Sequence, residues 1–185
     1  VEGSLSGQQA RFVANGPGVM NERTAVAAVC GQQQMPSAIV SVGYVGGLDP
    51  ALQVGQIFLG RRVKRIREKV DYQSELPAFP NAAGVAQGTL LTIDRVVQTS
   101  QEKGMLRQSG ADAVDMEAYA VADEAAKLQF QTVMEKGENL HQKQHAGMTL
   151  SNEEIADYEK HRELLMDNPV ARGFLEAREE ISRVQ

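Results

Sequence analysis

Within six residues, Asp112, Asp115, Met116 and Glu117 set three carboxylates and a thioether beside the small-residue run Ala118-Tyr119-Ala120-Val121-Ala122. A long carboxylate that projects from a closely packed helix can accept two hydroxyl donors at once through charge-assisted bonds. The same residues also suit capping. Asp112 as N-cap, with Asp115 three residues on, puts negative charge where the free N–H groups and helix dipole favour it. The pattern predicts a helix capped by Asp112 and running through Ala122, from which Glu117 projects.

Two glycine turns lie upstream, Asn15-Gly16-Pro17-Gly18 and Gly43-Tyr44-Val45-Gly46-Gly47. A missing Cβ lets backbone N–H groups approach an anion closely. The other chemistry-bearing residues point to less. His141, His145 and His161 with the lone Cys30 give no metal-ligand spacing, and the i,i+4 pair His141/His145 lacks a carboxylate motif, so no metal is expected. Arg61-Arg62-Val63-Lys64-Arg65-Ile66-Arg67 alternates basic and apolar residues, the pattern of an edge strand with one solvated cationic face rather than an anion site.

The elements that must position these groups change character along the chain. Residues 1–127 hold 14 of the 17 Gly and 5 of the 6 Pro. They alternate short apolar runs with glycine turns, the rhythm of an α/β domain. Strands are predicted over Ala10–Ala14, Ser37–Val42, Val54–Leu59 and Gly88–Thr99, a helix over Val19–Val29, and a loop over Val70–Gln87. From Lys127 onward the chain reads as helix. Ser151 to Glu154 forms a capping box, with Leu150 and Ile155 as a hydrophobic staple. Ile155, Tyr158 and Leu165 supply the apolar stripe of that helix. Asn168-Pro169 ends it and opens another, striped by Val170, Phe174, Ala177, Ile181 and Val184. Lys127–Gln144 forms the preceding helix, with Gly137 as a weak point and nothing to force a break from the helix containing Glu117. Two domains are expected, 1–127 and 128–185.

A chain of 185 residues with 42% apolar and 23% charged residues can bury a sizeable core. A net charge of −5 argues against direct nucleic-acid binding, which favours a basic face. One cysteine fits a reducing compartment, and the expected location is cytoplasmic. No run reaches the roughly 18 apolar residues of a membrane span.

Taken in order, Asn15-Gly16-Pro17-Gly18, Val40–Leu48, Gly88–Val97 and Val114-Asp115-Met116-Glu117 resemble the nucleoside phosphorylase/nucleosidase family, over about residues 10–127. The flavour is that of the methylthioadenosine/adenosylhomocysteine nucleosidases and the related phosphorylase-like proteins of hopanoid synthesis. The resemblance implies a partial nucleoside phosphorylase-like α/β sheet with flanking helices, followed by an all-α segment. It implies Gly16 and Gly18 at a phosphate or water site, and Gly43, Gly46 and Gly47 at the floor of the nucleoside pocket. Thr92, Asp94, Val96 and Val97 would wall the purine, and Met116 would lie under the ribose. Glu117 would accept hydrogen bonds from the 2′- and 3′-hydroxyls and stabilise a cationic ribosyl transition state. Phosphate is the one co-substrate implied, with no cofactor.

The departures bear on catalysis. Tyr44 stands where the nucleosidases place a small hydroxyl residue, and its bulk is expected in the phosphate or water site. The family's opening strand and acid are expected to be missing. After the Met-Glu helix the family returns to a strand ending in an aspartate that protonates the leaving base, whereas here Glu124-Ala125-Ala126-Lys127 runs on into helix. Losing that acid removes a contribution of about 10²–10⁴-fold, so no catalytic residue is assigned and little turnover is expected.

The tail has a resemblance of its own. Gly147-x-x-Leu150-Ser151 and Leu165-Met166-Asp167-Asn168-Pro169, followed by Phe174-Leu175-Glu176-Ala177, are similar to the C-terminal half of the YlbF/YmcA cell-fate regulators over about 130–185. Three readings follow. The chain binds or cleaves a purine nucleoside; or it is a non-catalytic helical regulator that self-associates through sheet edges or tail helices; or it joins two unrelated pieces near Lys127.

Overall fold

The computed structural model describes residues 1–14, 16, 18–30, 36–68, 70–74, 84–167 and 172–173. The chain divides into two compact units, Val1–Asp123 and Glu124–Gln185.

In the first unit, β1 (Glu2–Leu5) and β2 (Gln8–Arg11) form an antiparallel hairpin. Its two-residue turn places Ser6 and Gly7 at φ 51° and 80°, the left-handed pair that matches the twist of the flanking strands. Helix α1 (Val19–Cys30) follows as predicted, burying Ala25, Val26 and Cys30. A five-stranded sheet comes next, made of β3 (Gly46–Gly47), β4 (Ile57–Arg65), β5 (Tyr72–Gln73), β6 (Val85–Thr92) and β7 (Ala113–Asp115) in the order β3-β7-β6-β4-β5. The pairs β4/β6 and β6/β7 are parallel, while β3/β7 and β4/β5 are antiparallel.

The centre of the sheet is apolar on both faces, as a covered parallel sheet requires. On one face Leu91 and Val114 pack with Leu48, Ala111 and Leu106, the last from α2 (Ser100–Arg107). On the other, Leu90 and Ala113 pack with Ala118, Leu52, Phe58 and Val63. Period-two alternation at residues 90–91 and 113–114 therefore feeds two cores.

Several expectations are corrected. Residues 111–122 are not one helix: 113–115 form β7, and α3 runs from Ala118 to His145. The ladder with β6, Leu90↔Ala113 through Thr92↔Asp115, outweighs the small-residue helical pattern. Asp112 is no N-cap. Its carboxylate accepts the Thr89 N–H at 2.7 Å and pairs with Arg107 at 2.8 Å, and its carbonyl takes the Leu48 and Asp49 N–H groups, both at 2.9 Å. The run Ser37–Val42 is not assigned as a strand; among the described residues pairing in this part of the chain begins only at Gly46. Val54–Leu59 and the basic run are one strand, β4, with β6 along one side and β5 on the other at Arg62 and Val63. It is thus not an edge strand, and its cations are occupied: Arg62 by Asp71, Arg65 by Asp94 and Lys64 by the Ser109 carbonyl. The loop expected over Val70–Gln87 contains β5 and the start of β6. The strand expected to reach Thr99 stops at Thr92, and Thr99 caps α2 by accepting the Glu102 N–H at 3.2 Å.

The second unit contains the rest of α3 and α4 (Asn152–Asp167). The capping box is present: Ser151 Oγ accepts the Glu154 N–H at 3.2 Å and Glu154 Oε2 accepts the Ser151 N–H at 3.1 Å. Val133 and Leu165 form its core with Phe130 and Tyr158. Gly137 is a contact point rather than a weak one, since a Cβ there would lie 3.1 Å from the Tyr158 ring. The helix expected after Pro169 and its stripe from Val170 to Val184 lie outside the described residues. Among the described residues no helix is long and apolar enough to cross a membrane.

Two substitutions test this architecture. A Cβ at Gly88 would sit 2.2 Å from Asp112 Oδ2, so Gly88→Ala must expel that carboxylate from Thr89 and Arg107 and cost about 1–3 kcal/mol in urea titrations. Ser151→Ala removes the α4 cap and should cost about 0.5–2 kcal/mol by the same measurement.

Candidate functional site

The site is built where β7 hands over to α3. Thr92, 0% exposed, ends β6 directly beside Asp115. Its hydroxyl donates to Asp115 Oδ1 at 2.6 Å and accepts the Tyr119 N–H at 2.9 Å. Asp115 Oδ2 accepts the Ala118 N–H at 2.7 Å, closing the first turn of α3. Burial pushes the Asp115 carboxyl up, opposed by its hydrogen bonds from Thr92, Ala118 and Glu117. With strand and helix locked in this way, Met116 and Glu117 occupy the corner between them.

Glu117 is held by two backbone donors. Gly18, at φ 108°, donates its N–H to Oε1 at 3.1 Å across 99 residues, and Met116 donates to Oε2 at 3.1 Å. Each oxygen keeps a further acceptor site. Gly18 also opens α1, its carbonyl accepting the Asn21 and Glu22 N–H groups at 3.0 and 3.2 Å. A cleft of about 260 Å³ lies here, lined by Gly18, Val19, Met20, Asn21, Asp94 and Met116. Asp94 accepts Arg65 Nη2 through both oxygens at 2.7 Å, which anchors one wall of the cleft to β4. Burial raises Glu22, as do the carboxylates of Glu117 and Asp115 beside it.

The structure thus gathers Gly18, Asp94, Met116 and Glu117 of the predicted residues. Gly46 and Gly47 lie next door in β3, facing Val114 and Ala113 of β7. The others are placed differently. Gly16 and Gly43 are exposed and do not line the cleft. Thr92 is fully buried and committed to Asp115 and Tyr119. Val97 packs into the core with Leu91 and Val114, and Val96 is exposed. The Tyr44 ring is fully exposed and fills no site, correcting that expectation. Val19, Met20 and Asn21 were missed; the signal was their position in the first turn after Gly18, where a helix N-terminus faces the cleft. The His141 and His145 rings meet edge to face at 4.4 Å, and no group of three or more metal-ligating side chains occurs among the described residues.

Comparison with known structures bears on this geometry. The 5′-methylthioadenosine/S-adenosylhomocysteine nucleosidase of Neisseria meningitidis, solved with methylthio-immucillin-A, matches with a TM-score of 0.60 at 23% identity, covering 69% of this chain and 66% of its own. The nucleosidase of Colwellia psychrerythraea 34H with adenine matches with a TM-score of 0.59 at 19% identity, covering 69% and 64%. A Helicobacter pylori nucleosidase mutant with 5′-methylthioadenosine in the active site matches with a TM-score of 0.60 at 13% identity, covering 68% and 64%. The chain shares the fold of these nucleosidases. It spans about two thirds of their length. A family model described as "Control of competence regulator ComK, YlbF/YmcA" matches residues 110–184. Both resemblances read from the sequence are therefore present, and the regulator match begins at residue 110 rather than near 130. No curated protein matches the chain in sequence.

The carboxylates at this corner set a pH dependence. A raised acid contributes stability that is fully present below its unfolded value and lost as pH rises through its folded value. Glu22→Gln should therefore stabilise the chain at neutral pH and give no gain below the ordinary carboxylate range. Urea titration of both proteins at the two pH values checks this.

Proposed function

We propose that the first unit binds a purine nucleoside in the cleft beside Gly18, Asp94 and Met116, with the ribose hydroxyls donating to Glu117. The observation that supports this is the Glu117 carboxylate, held by the N–H groups of Gly18 and Met116, two residues that line the cleft, with acceptor capacity to spare. A fixed carboxylate pays little entropy when it takes up a diol. The ligands of the structural neighbours, methylthio-immucillin-A, 5′-methylthioadenosine and adenine, support a purine nucleoside as the class. In this reading phosphate or water approaches beside Gly18, and Glu117 stabilises positive charge on the ribosyl carbon as the N-glycosidic bond breaks.

Turnover is slow in this reading. After β7 the described residues form only α3 and α4, with no strand to bring an acid to the leaving base. The absent proton donor is worth about 10²–10⁴-fold.

A second reading rests on the match over residues 110–184: the helical unit acts as a non-catalytic regulator of the YlbF/YmcA kind, working through self-association in the cytoplasm, with the α/β unit as its scaffold.

Calorimetric titration with 5′-methylthioadenosine, paired with an adenine-release assay with and without phosphate, separates the two. The first reading predicts saturable binding that Glu117→Ala weakens about 10- to 100-fold, as for loss of charge-assisted hydrogen bonds, with release far below that of a nucleosidase run alongside. Absence of binding, or binding indifferent to Glu117→Ala, would leave the regulator reading.

A further inference from the structure

Among the described residues Thr92 is the one polar residue that is fully buried. A valine fills nearly the same space in an apolar interior with no hydroxyl to satisfy, whereas a buried hydroxyl costs free energy unless it is bonded. Its place at the end of β6 therefore points to a role that only the hydroxyl can fill. That hydroxyl donates to Asp115 Oδ1 at 2.6 Å and accepts the Tyr119 N–H at 2.9 Å. The end of β6 is thereby bonded to the last residue of β7 and to the first turn of α3.

From there the contacts lead to Glu117. The Asp115 carboxylate that Thr92 orients takes the Ala118 N–H at 2.7 Å and also accepts from the Glu117 backbone. The root of the Glu117 side chain is thus tied to Asp115. Its tip takes the Gly18 and Met116 N–H groups, both at 3.1 Å. Thr92 itself does not line the cleft.

We propose that Thr92 is a positioning residue for Glu117. Through Asp115 its hydroxyl sets where the Glu117 carboxylate stands, and so how much ordering a diol-bearing ligand must supply when it binds. The inference rests on the nucleoside reading for its effect on affinity, while the position of Glu117 is read in the ligand-free chain. Ordering one long side chain corresponds to about a 2- to 10-fold change in affinity.

Three substitutions separate the hydroxyl from the packing. Thr92→Val keeps the branched shape and removes the hydroxyl, Thr92→Ser keeps the hydroxyl and removes a methyl group, and Thr92→Cys offers only a weak donor and acceptor. In the ligand-free, isotope-labelled chain the Gly18 amide proton should move upfield with Thr92→Val as its bond to Glu117 is lost. It should move less with Thr92→Cys and stay in place with Thr92→Ser. Thr99→Ala removes the α2 cap in the same unit and should also leave it in place. Calorimetry with 5′-methylthioadenosine should follow the same order, with binding about 2- to 10-fold weaker for Thr92→Val and parental for Thr92→Ser. A purely packing role predicts the reverse order, because Ser leaves a void and Val does not. That reverse order overturns the proposal, as does a Gly18 signal unmoved by the Val and Cys variants or moved equally by Thr99→Ala. Where Thr92→Val does not fold, the Cys and Ser pair carries the same comparison. A parent chain that binds no nucleoside defeats the nucleoside reading, and the Gly18 series still decides the positioning role.

Discussion

The hydrogen bond between the buried Thr92 hydroxyl and the Asp115 carboxylate is the constraint on which the first unit depends. Through it the end of β6, the end of β7 and the start of α3 are fixed to one another, since the same hydroxyl takes the Tyr119 N–H and the same carboxylate takes the Ala118 N–H. In a low-dielectric corner such a network is strong when every member is satisfied and costly when one is not. Every buried side-chain polar atom among the described residues has a partner. Met116 and Glu117 follow directly on this corner, Met116 lining the cleft with Gly18 and Glu117 accepting the Gly18 N–H.

Around that corner the structure repeats one device, a side chain that stands in for missing backbone pairing. Asp112 serves Thr89 and Arg107 at the mouth of the β6/β7 pair, and Arg107 bridges on to Asp49 at 2.9 Å. Asp123 joins α3 to α1 through Arg23 at 2.5 Å and to β5 through Tyr72 at 2.9 Å. Burial, and after it the bond to Asp123, drives the Tyr72 hydroxyl well up, so it stays a neutral donor. Short strands such as β5 and β7 are held in place by these contacts as much as by their ladders.

Much of this was legible in the residues. The helix after Gly18, the capping box at Ser151 and the apolar stripe of α4 depend on local chemistry, and local chemistry is written in consecutive residues. What the sequence could not show was decided by partners distant along the chain. Ala113–Asp115 looks helical by composition and becomes a strand because β6 offers it a ladder. Ser37–Val42 looks like a covered strand and has no ladder among the described residues. Thr92 and Asp94 read alike as purine-facing residues, yet two residues apart in register one is sealed in the core and the other reaches the cleft. The helix at Ser100–Arg107 went unread although Thr99 and Glu102, spaced as a capping pair, announced it.

The amide resonances of Gly18 and Met116 report most directly on the ribose-binding corner proposed at Gly18, Met116 and Glu117. Both N–H groups donate to the carboxylate that a ribose would share. Titration of the isotope-labelled chain with 5′-methylthioadenosine should shift both resonances saturably and together. Unmoved Gly18 and Met116 signals at saturating nucleoside would contradict ribose binding at this corner.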